Sequence, residues 1–269
     1  MNLDDIRDAY LSDGFNYIES SSRTSQDVIL ALISKSHFSK NVTIKGGVVL
    51  QHISGDSRRA TLDFDFDFIK YSLSNESIEK FIKKLNDSSD DVSVVITAAI
   101  EDLKHQDYNG KRIYIRLSDI HGTSIDAKLD IGIHKDVSMK QDMYCFDLIK
   151  LDDSVNLLVN TKEQMFVEKL KSLLRLGSVT TRYKDIFDMY WLSTEGKLDN
   201  LLMKDKLKKI IFDDVSMREN NTDDIVTRLD RVFNDSHFVS SLGSSRRHNW
   251  LEIDPTQVTS VLLGYFRSI

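Results

Sequence analysis

The segment RRATLDFDFDF (58–68) constrains the fold most, because apolar and acidic residues alternate along it. Side chains of a β-strand point alternately to two faces, so residues 61–69 are predicted to form a strand with one face in the core. The core face comprises Leu62, Phe64, Phe66 and Phe68, and the polar face Thr61, Asp63, Asp65 and Asp67. Because neighbouring carboxylates repel one another, the polar face is interpreted as a metal site or, alternatively, as an edge strand with a solvated acidic surface.

A second segment, SIDAKLDIGI (124–133), alternates in the same way. Its polar face carries Asp126, Lys128, Asp130 and Gly132. If the two strands lie side by side, Asp130 approaches Asp63 and Asp65. Three such carboxylates suit one or two Mg²⁺ ions bound together with nucleotide phosphates. A metal pair of this kind activates an attacking hydroxyl and stabilises a leaving pyrophosphate.

A glycine pair precedes the acidic strand. The segment IKGGVVL (44–50) predicts a short strand over 41–45, then Gly46 and Gly47, then a helix to about Ile53. Glycine lets backbone N–H groups approach a phosphate, and the N-terminus of a helix favours an anion. A glycine pair alone indicates no more than a turn, but an acidic strand at short range strengthens the interpretation as a phosphate cradle.

The distribution of elements predicts two domains, 1–155 and 156–269. Strands and helices mix in the first, with a helix at 75–86, strands at 92–99, 111–118 and 123–133, and a tight turn at Asn109-Gly110. Helices dominate the second, at 161–176, 181–193, 200–212, 222–235 and 255–267. The predicted fold class is therefore α/β followed by α, a mixed sheet with helices and then a helical domain.

Composition excludes several classes of protein. One cysteine, Cys145, rules out disulfide scaffolds and zinc sites built on cysteine; a nucleophile is one interpretation of it, and a small buried apolar residue is the one we predict. No apolar run approaches the roughly 18 residues of a membrane span, and no signal-peptide pattern is visible, so a soluble cytoplasmic protein is expected. The net charge of −6 gives no support for nucleic-acid binding, although a local basic face is sufficient for it.

Two polar residues stand out in the predicted helices. Lys169 falls within the apolar stripe of helix 161–176, where a buried ammonium requires an anion, a phosphate being one candidate. The alternative is a lysine whose charged end reaches solvent. Asp185 lies near a helix start, as a functional acid or as a partner of the helix dipole, and Arg182 is a candidate ligand of phosphate or of Asp185.

The glycine pair, the D-x-D strand and the third aspartate together resemble the polymerase-β nucleotidyltransferases. More narrowly, the chain resembles the AbiEii toxins of bacterial abortive-infection toxin–antitoxin systems, which include the MenT group. The matching segments are IKGGVVL (44–50), RATLDFD (59–65), KLDIG (128–132), TKEQMFVEKL (161–170) and RYKDIFDM (182–189).

The resemblance implies Mg²⁺-dependent transfer of a nucleoside monophosphate from NTP to RNA, especially the 3′ end of tRNA, with a cognate antitoxin as a partner. Asp63 and Asp65 would bind the metal with Asp130, which would orient or deprotonate the acceptor hydroxyl. The implied nucleotide-binding residues are Lys45, Gly46, Gly47, Thr61, Lys169 and Arg182. Asp185 would complete the catalytic set from the helical domain, in a cleft between the two domains.

The sequence departs from the family pattern at two places. Val48-Val49 follows the glycine pair where the family has a small hydroxylated residue and then alanine. Asp67 is an additional acid, so the metal-binding pair is Asp63/Asp65 or Asp65/Asp67, and Thr61 favours the former. Transfer to a protein or a small molecule, or a non-catalytic binding module with this fold, are the alternative functions.

Overall fold

The computed structural model describes residues 1–103, 110–134, 136 and 138–269. The chain divides into two compact units, an N-terminal unit (Met1–Asn160) and a C-terminal unit (Thr161–Ile269). Asn109 of the predicted Asn109-Gly110 turn lies outside the described residues. The predicted fold class, a mixed sheet with helices followed by helices alone, is confirmed.

The N-terminal unit is built on one mixed sheet with the order β3-β5-β6-β2-β1-β8-β7, in which β4 pairs with β5. Its strands are β1 (Val42–Lys45), β2 (Phe64–Phe68), β3 (Val92–Ile96), β4 (Glu101–Leu103), β5 (Gly110–Asp119), β6 (Ser124–Ile133), β7 (Asp142–Leu148) and β8 (Asp153–Val159). Its helices are α1 (Leu3–Ser12), α2 (Tyr17–Lys35), α3 (Gly46–Ser54) and α4 (Asn75–Asn86). The central strand β2 runs parallel to β6 and antiparallel to β1.

Apolar residues of β2 fix its orientation. Phe64, Phe66 and Phe68 are buried, and Phe66 and Phe68 pack against Phe81 of α4. The predicted alternation of faces is therefore confirmed over residues 64–68, and the aspartates between the phenylalanines point to the opposite face of the sheet. Burial of this aromatic face holds the register of the polar face.

Three expectations are wrong in detail. The strand predicted from residue 61 begins only at Phe64, and Leu62 is 56 % exposed rather than buried. The cause lies in α2, where Ser22 Oγ and Gln26 Nε2 donate to the Thr61 carbonyl and hold that segment out of the ladder. The third is Cys145, predicted to be a small buried apolar residue, which is exposed on β7. In addition, the hairpin of β7 and β8 was not predicted.

The C-terminal unit is helical. Its helices are α5 (Lys162–Leu176), α6 (Tyr183–Thr194), α7 (Asn200–Leu207), continued by a π-helical turn (Lys208–Phe212), α8 (Thr222–Phe233), α9 (Ser236–Ser244) and α10 (Pro255–Ser268). Side chains that accept from free backbone N–H groups cap several of the starts, among them Thr161 and Asn221. Within the described parts of both units, no helix combines the length and the apolar character needed to cross a bilayer.

Candidate active site

The polar face of the sheet brings two of the predicted acids together. Asp65 of β2 lies opposite Asp130 of β6 in parallel register, and opposite Lys45 of β1 in antiparallel register. Register partners on adjacent strands project to the same face and are separated by about 4.8 Å along the hydrogen-bonding direction. Asp65 and Asp130 are therefore side by side at the centre of the sheet.

Two cations, one from β5 and one from β6, form ion pairs with Asp130 and Asp63. Arg112 donates to both oxygens of Asp130, from Nε and from a terminal nitrogen, at 2.8 Å each. Asp63, just before β2, forms an ion pair with Lys128, and its side chain is 49 % exposed. A bidentate guanidinium fixes the orientation of the Asp130 carboxylate, whereas the Asp63 pair remains in contact with solvent.

Asp67 occupies a different environment. Its carboxylate is buried and accepts from Lys45 Nζ at 2.6 Å. The two alternatives for the metal-binding pair are thus physically unlike, because Asp67 is enclosed with a lysine whereas Asp63 is open to solvent. The ammonium of Lys45 forms an ion pair with Asp67. The predicted contact of Lys45 with a nucleotide stays a prediction.

The glycine pair begins α3 directly beside the aspartates. Gly46 has φ +67°, and a Cβ added there would lie 2.9 Å from Asp65 Oδ2. At Gly47 a Cβ would lie 2.6 Å from Thr61 Oγ1. Only glycine allows this approach together with the left-handed backbone at the first position. The residue before the helix is Lys45, whose side chain has no acceptor for the first N–H groups of α3, and Val48 and Val49 are buried behind them.

The donor set of this face is compatible with a magnesium ion, although the carboxylates are not gathered as a complete site. Among the residues that the structure describes, no group of three or more His, Cys, Asp or Glu side chains is arranged to hold a metal. The carboxylate oxygens are hard ligands of the type that Mg²⁺ prefers. Each oxygen that accepts from Arg112 or Lys128 retains a second lone pair, so these ion pairs do not exclude coordination.

Lys169 and Asp185 belong to a buried cluster in the C-terminal unit. Lys169 Nζ donates to Asp185 at 2.5 Å and lies 2.9 Å from Asp188 Oδ2. Arg182 Nε donates to Asp185 at 2.6 Å, and Trp250 Nε1 donates to Asp188 at 3.0 Å. Lys169 therefore does not extend to solvent, and the alternative of a solvent-reaching lysine is wrong.

The charge state of Asp185 follows from this surrounding. Burial opposes ionisation of the carboxyl, but the ammonium of Lys169 and the guanidinium of Arg182 outweigh burial and lower its pKa below the usual range. Asp185 is thus a carboxylate that balances two cations. The predicted approach of Lys169, Arg182 and Asp185 to the sheet aspartates would join two separate units and stays a prediction.

Four residues of these clusters were not predicted from the sequence. Arg112 and Lys128 pair with the acids of the sheet face, and Asp188 and Trp250 complete the helical cluster. The spacing of Asp188, three residues after Asp185, is a signal that could have identified it, because residues three apart share a helix face. Nothing local to residue 112 indicates its partner, since only the strand pairing brings it opposite Asp130.

Comparison with known proteins finds similar solved structures and a matching family model. Among the similar solved structures is one described as an antigenic nucleotidyltransferase-like protein from Paracoccidioides brasiliensis, at 17 % sequence identity and a TM-score of 0.42, over 64 % of this chain and 75 % of that chain. The comparison with curated proteins gave no match. A family model described as "Nucleotidyl transferase AbiEii toxin, Type IV TA system" matches residues 28–239, most of the chain. On that match, the protein belongs to the AbiEii family of nucleotidyltransferase toxins.

Proposed function

We propose that this AbiEii-family protein transfers a nucleoside monophosphate from an NTP to a hydroxyl of RNA, the 3′ end of tRNA in particular, in a Mg²⁺-dependent reaction. The observation that carries the proposal is the register of Asp65 with Asp130 beside the glycine start of α3. It puts carboxylates next to the first backbone N–H groups of a helix, which supports phosphoryl transfer because that reaction depends mainly on positioning and electrostatic stabilisation. The family implies a cognate antitoxin as a partner and, with NTP and RNA as substrates, a cytoplasmic location.

The metal would be held by Asp63, Asp65 and Asp130. When bound, Mg²⁺ supplies charge neutralisation for the phosphates and polarises the reacting oxygens. Arg112 holds Asp130 in one orientation through two hydrogen bonds, so that this carboxylate is fixed before substrate arrives.

Groups of the chain itself bind the phosphates and accept the proton of the acceptor. Backbone N–H groups at Gly46 and Gly47 bind the phosphates of the NTP, because α3 begins there without an acceptor side chain at its cap. Asp130 orients the acceptor hydroxyl and accepts its proton. The hydroxyl oxygen forms a bond to the α-phosphorus, the bond to the bridging oxygen breaks, and pyrophosphate leaves. Lys169, Arg182 and Asp185 are proposed on the family pattern to assist at the triphosphate.

Incubation of the protein with each α-labelled NTP, Mg²⁺ and bulk tRNA tests this function. We expect one or more nucleotides to be incorporated into RNA with release of pyrophosphate. Asp65→Asn should lower incorporation by about a hundredfold or more, since even partners of metal ligands contribute 10–100-fold, and its circular dichroism should match that of the wild type. Label found only in protein, or no label in any acceptor, would contradict the proposal.

A further inference from the structure

An open groove of about 900 Å³ lies in the N-terminal unit directly beside Asp63. Its walls are the first turns of α2, the segment at Leu62 and Asp63, and the strands β5 and β6. Pockets that bind small molecules occupy roughly 300–1,000 Å³, so the groove is large enough for a nucleoside and part of its backbone. All of its lining residues belong to one unit.

The groove exists because β6 is longer than its neighbour. Pairing between β2 and β6 starts at Phe64 and Leu129, so residues 124–128 of β6 extend past the beginning of β2. These residues pair on their other side with β5. The space beside them is bounded by α2, whose Ser22 and Gln26 hold the chain at Thr61.

Large apolar side chains are exposed around this groove. Tyr17 is 60 % exposed, Ile18 65 % and Leu62 56 %, and all three line it. Clustered exposed apolar surface is typical of a binding site. Tyr17 is also held in place, because a terminal nitrogen of Arg7 donates to its hydroxyl at 3.1 Å and the guanidinium lies 4.9 Å from the ring centre. The side chain therefore offers a positioned ring.

Polar and charged groups complete the lining. Ser21 and Ser25 of α2 line it, and Tyr114 of β5 adds a second aromatic ring. Its charged side chains are each paired, Lys128 with Asp63 and Asp126 with Arg116. The feature that suits a nucleoside is therefore the aromatic surface, because bases of single-stranded nucleic acid stack on aromatic side chains whatever their sequence.

The position of the groove distinguishes the two substrates of the reaction. The glycine start of α3 lies on the β1 side of β2, whereas the groove lies on the β6 side. In phosphoryl transfer the attacking and leaving oxygens are roughly in line across the phosphorus. With pyrophosphate leaving on the glycine side, the attacking hydroxyl must come from the side of β6.

We propose that this groove binds the terminal nucleoside of the RNA acceptor, with its base against Tyr17, Ile18 and Leu62 and its hydroxyl directed toward Asp63 and Asp130. The inference rests on the proposed function and adds to it the site that selects RNA. The NTP is bound elsewhere, at the glycine pair, so the groove affects the affinity for RNA and not that for NTP.

Separate titrations of RNA and NTP test the assignment. Tyr17→Ala should raise the KM for RNA about tenfold, as expected for loss of a stacking platform, and leave the KM for NTP within about twofold. Ile18→Ala should have a smaller effect in the same direction. Ile149→Ala is the matched control, because Ile149 is 72 % exposed in the same unit but does not line the groove, and it should change neither constant.

Two results would overturn the assignment. The first is a KM for RNA that is unchanged in Tyr17→Ala. The second is a Tyr17→Ala variant in which the KM for NTP rises instead of the KM for RNA. If the wild-type protein transfers nothing to RNA, the proposed function fails, and binding of a fluorescent ribo-oligonucleotide with a free 3′-hydroxyl decides the groove by itself. Weaker binding by Tyr17→Ala than by wild type and Ile149→Ala supports it; equal binding, or none by the wild type, refutes it.

Discussion

Asp63 beside the sheet and the carboxylates of the helical cluster meet cations in two different ways. On the sheet face, Asp63 and Lys128 pair with 49 % and 32 % of their side chains exposed. In the helical cluster, Asp188 is fully buried, and Lys169 reaches both it and Asp185. Exposed ion pairs contribute about 0–1 kcal/mol, whereas breaking a buried pair costs roughly 3–5 kcal/mol.

This difference separates an exposed ion pair that can exchange partners from a buried cluster that cannot do so without loss of stability. At the sheet face, a metal or a phosphate can replace an exposed pair such as Asp63–Lys128 at little loss of stability. In the helical cluster, the lysine is fixed by two carboxylates, one of which is itself held by Trp250. The helical cluster holds Lys169 in one position, whereas Asp63 and Lys128 are free to take up a ligand in place of each other.

The largest expected effect is on the stability of the helical cluster. Asp188→Ala should lower the free energy of unfolding by about 3–5 kcal/mol, because it leaves the buried Lys169 with one carboxylate fewer. Urea unfolding measures it. Asp126→Ala is the control, since Asp126 pairs with Arg116 at the surface, and should change stability by about 0.5 kcal/mol or less. Equal stabilities of the two variants would remove the distinction.

A second expectation concerns the dependence of stability on pH, because the pKa values of one buried carboxyl in each unit, Asp27 and Asp185, shift in opposite directions. Burial raises the pKa of Asp27 in α2 to about 7, although a hydrogen bond from Tyr10 and the charge of Arg23 oppose the rise. The folded protein then holds a proton that the unfolded chain releases above about pH 4, so stability falls as pH rises from about 4 to about 7. For Asp185, with its lowered pKa, stability is lost as pH falls below about 4.

Asp27→Asn tests this sign. The variant should gain stability relative to wild type as pH rises from about 4 to about 7, by a few kcal/mol at most, since one pKa unit corresponds to about 1.4 kcal/mol. Above about pH 7 the difference should be constant. Chemical denaturation at several pH values measures it, and a difference that does not vary with pH would contradict the raised pKa.

A third and smaller effect comes from substituting glycines, and it separates the cost of backbone strain from a loss of nucleotide binding. Gly46→Ala and Gly55→Ala both place a side chain at positive φ, +67° and +65°, and should each destabilise the protein by about 1–2 kcal/mol. Only at Gly46 would the new Cβ meet Asp65, because Gly55 has no atom within 4 Å of that position. Gly46→Ala alone should also weaken NTP binding by calorimetry. Equal NTP affinities of the two variants would show that the glycine start of α3 is not the phosphate site.

The sequence predicted more of the sheet face than of the helical cluster. Strict alternation fixed which residues of 64–68 face the core, and the same period placed Asp130 on the polar face of β6. Alternation does not extend to Leu62, because contacts from α2 displace that segment. The partners Arg112 and Lys45 follow from strand register, which depends on long-range pairing and not on local sequence.

In the helical unit the sequence identified single residues and not their arrangement. Lys169 in an apolar stripe indicated a buried cation that needs an anion, and the structure supplies two. The second, Asp188, lies within the family segment 182–189, but its role emerges only from the packing of α5 against α6 and from Trp250. Side-chain partners from distant segments are what local periodicity leaves undetermined.

Calorimetric titration with Mg²⁺ and a non-hydrolysable NTP tests the central claim most directly, namely that Asp65 and Asp130 bind the metal beside the glycine pair. Wild-type protein should show Mg²⁺-dependent binding. Asp65→Asn and Asp130→Asn should each weaken it by about tenfold or more, whereas Asp126→Asn, on the same face of β6, should not. Binding of undiminished strength by both Asp65→Asn and Asp130→Asn would contradict the account.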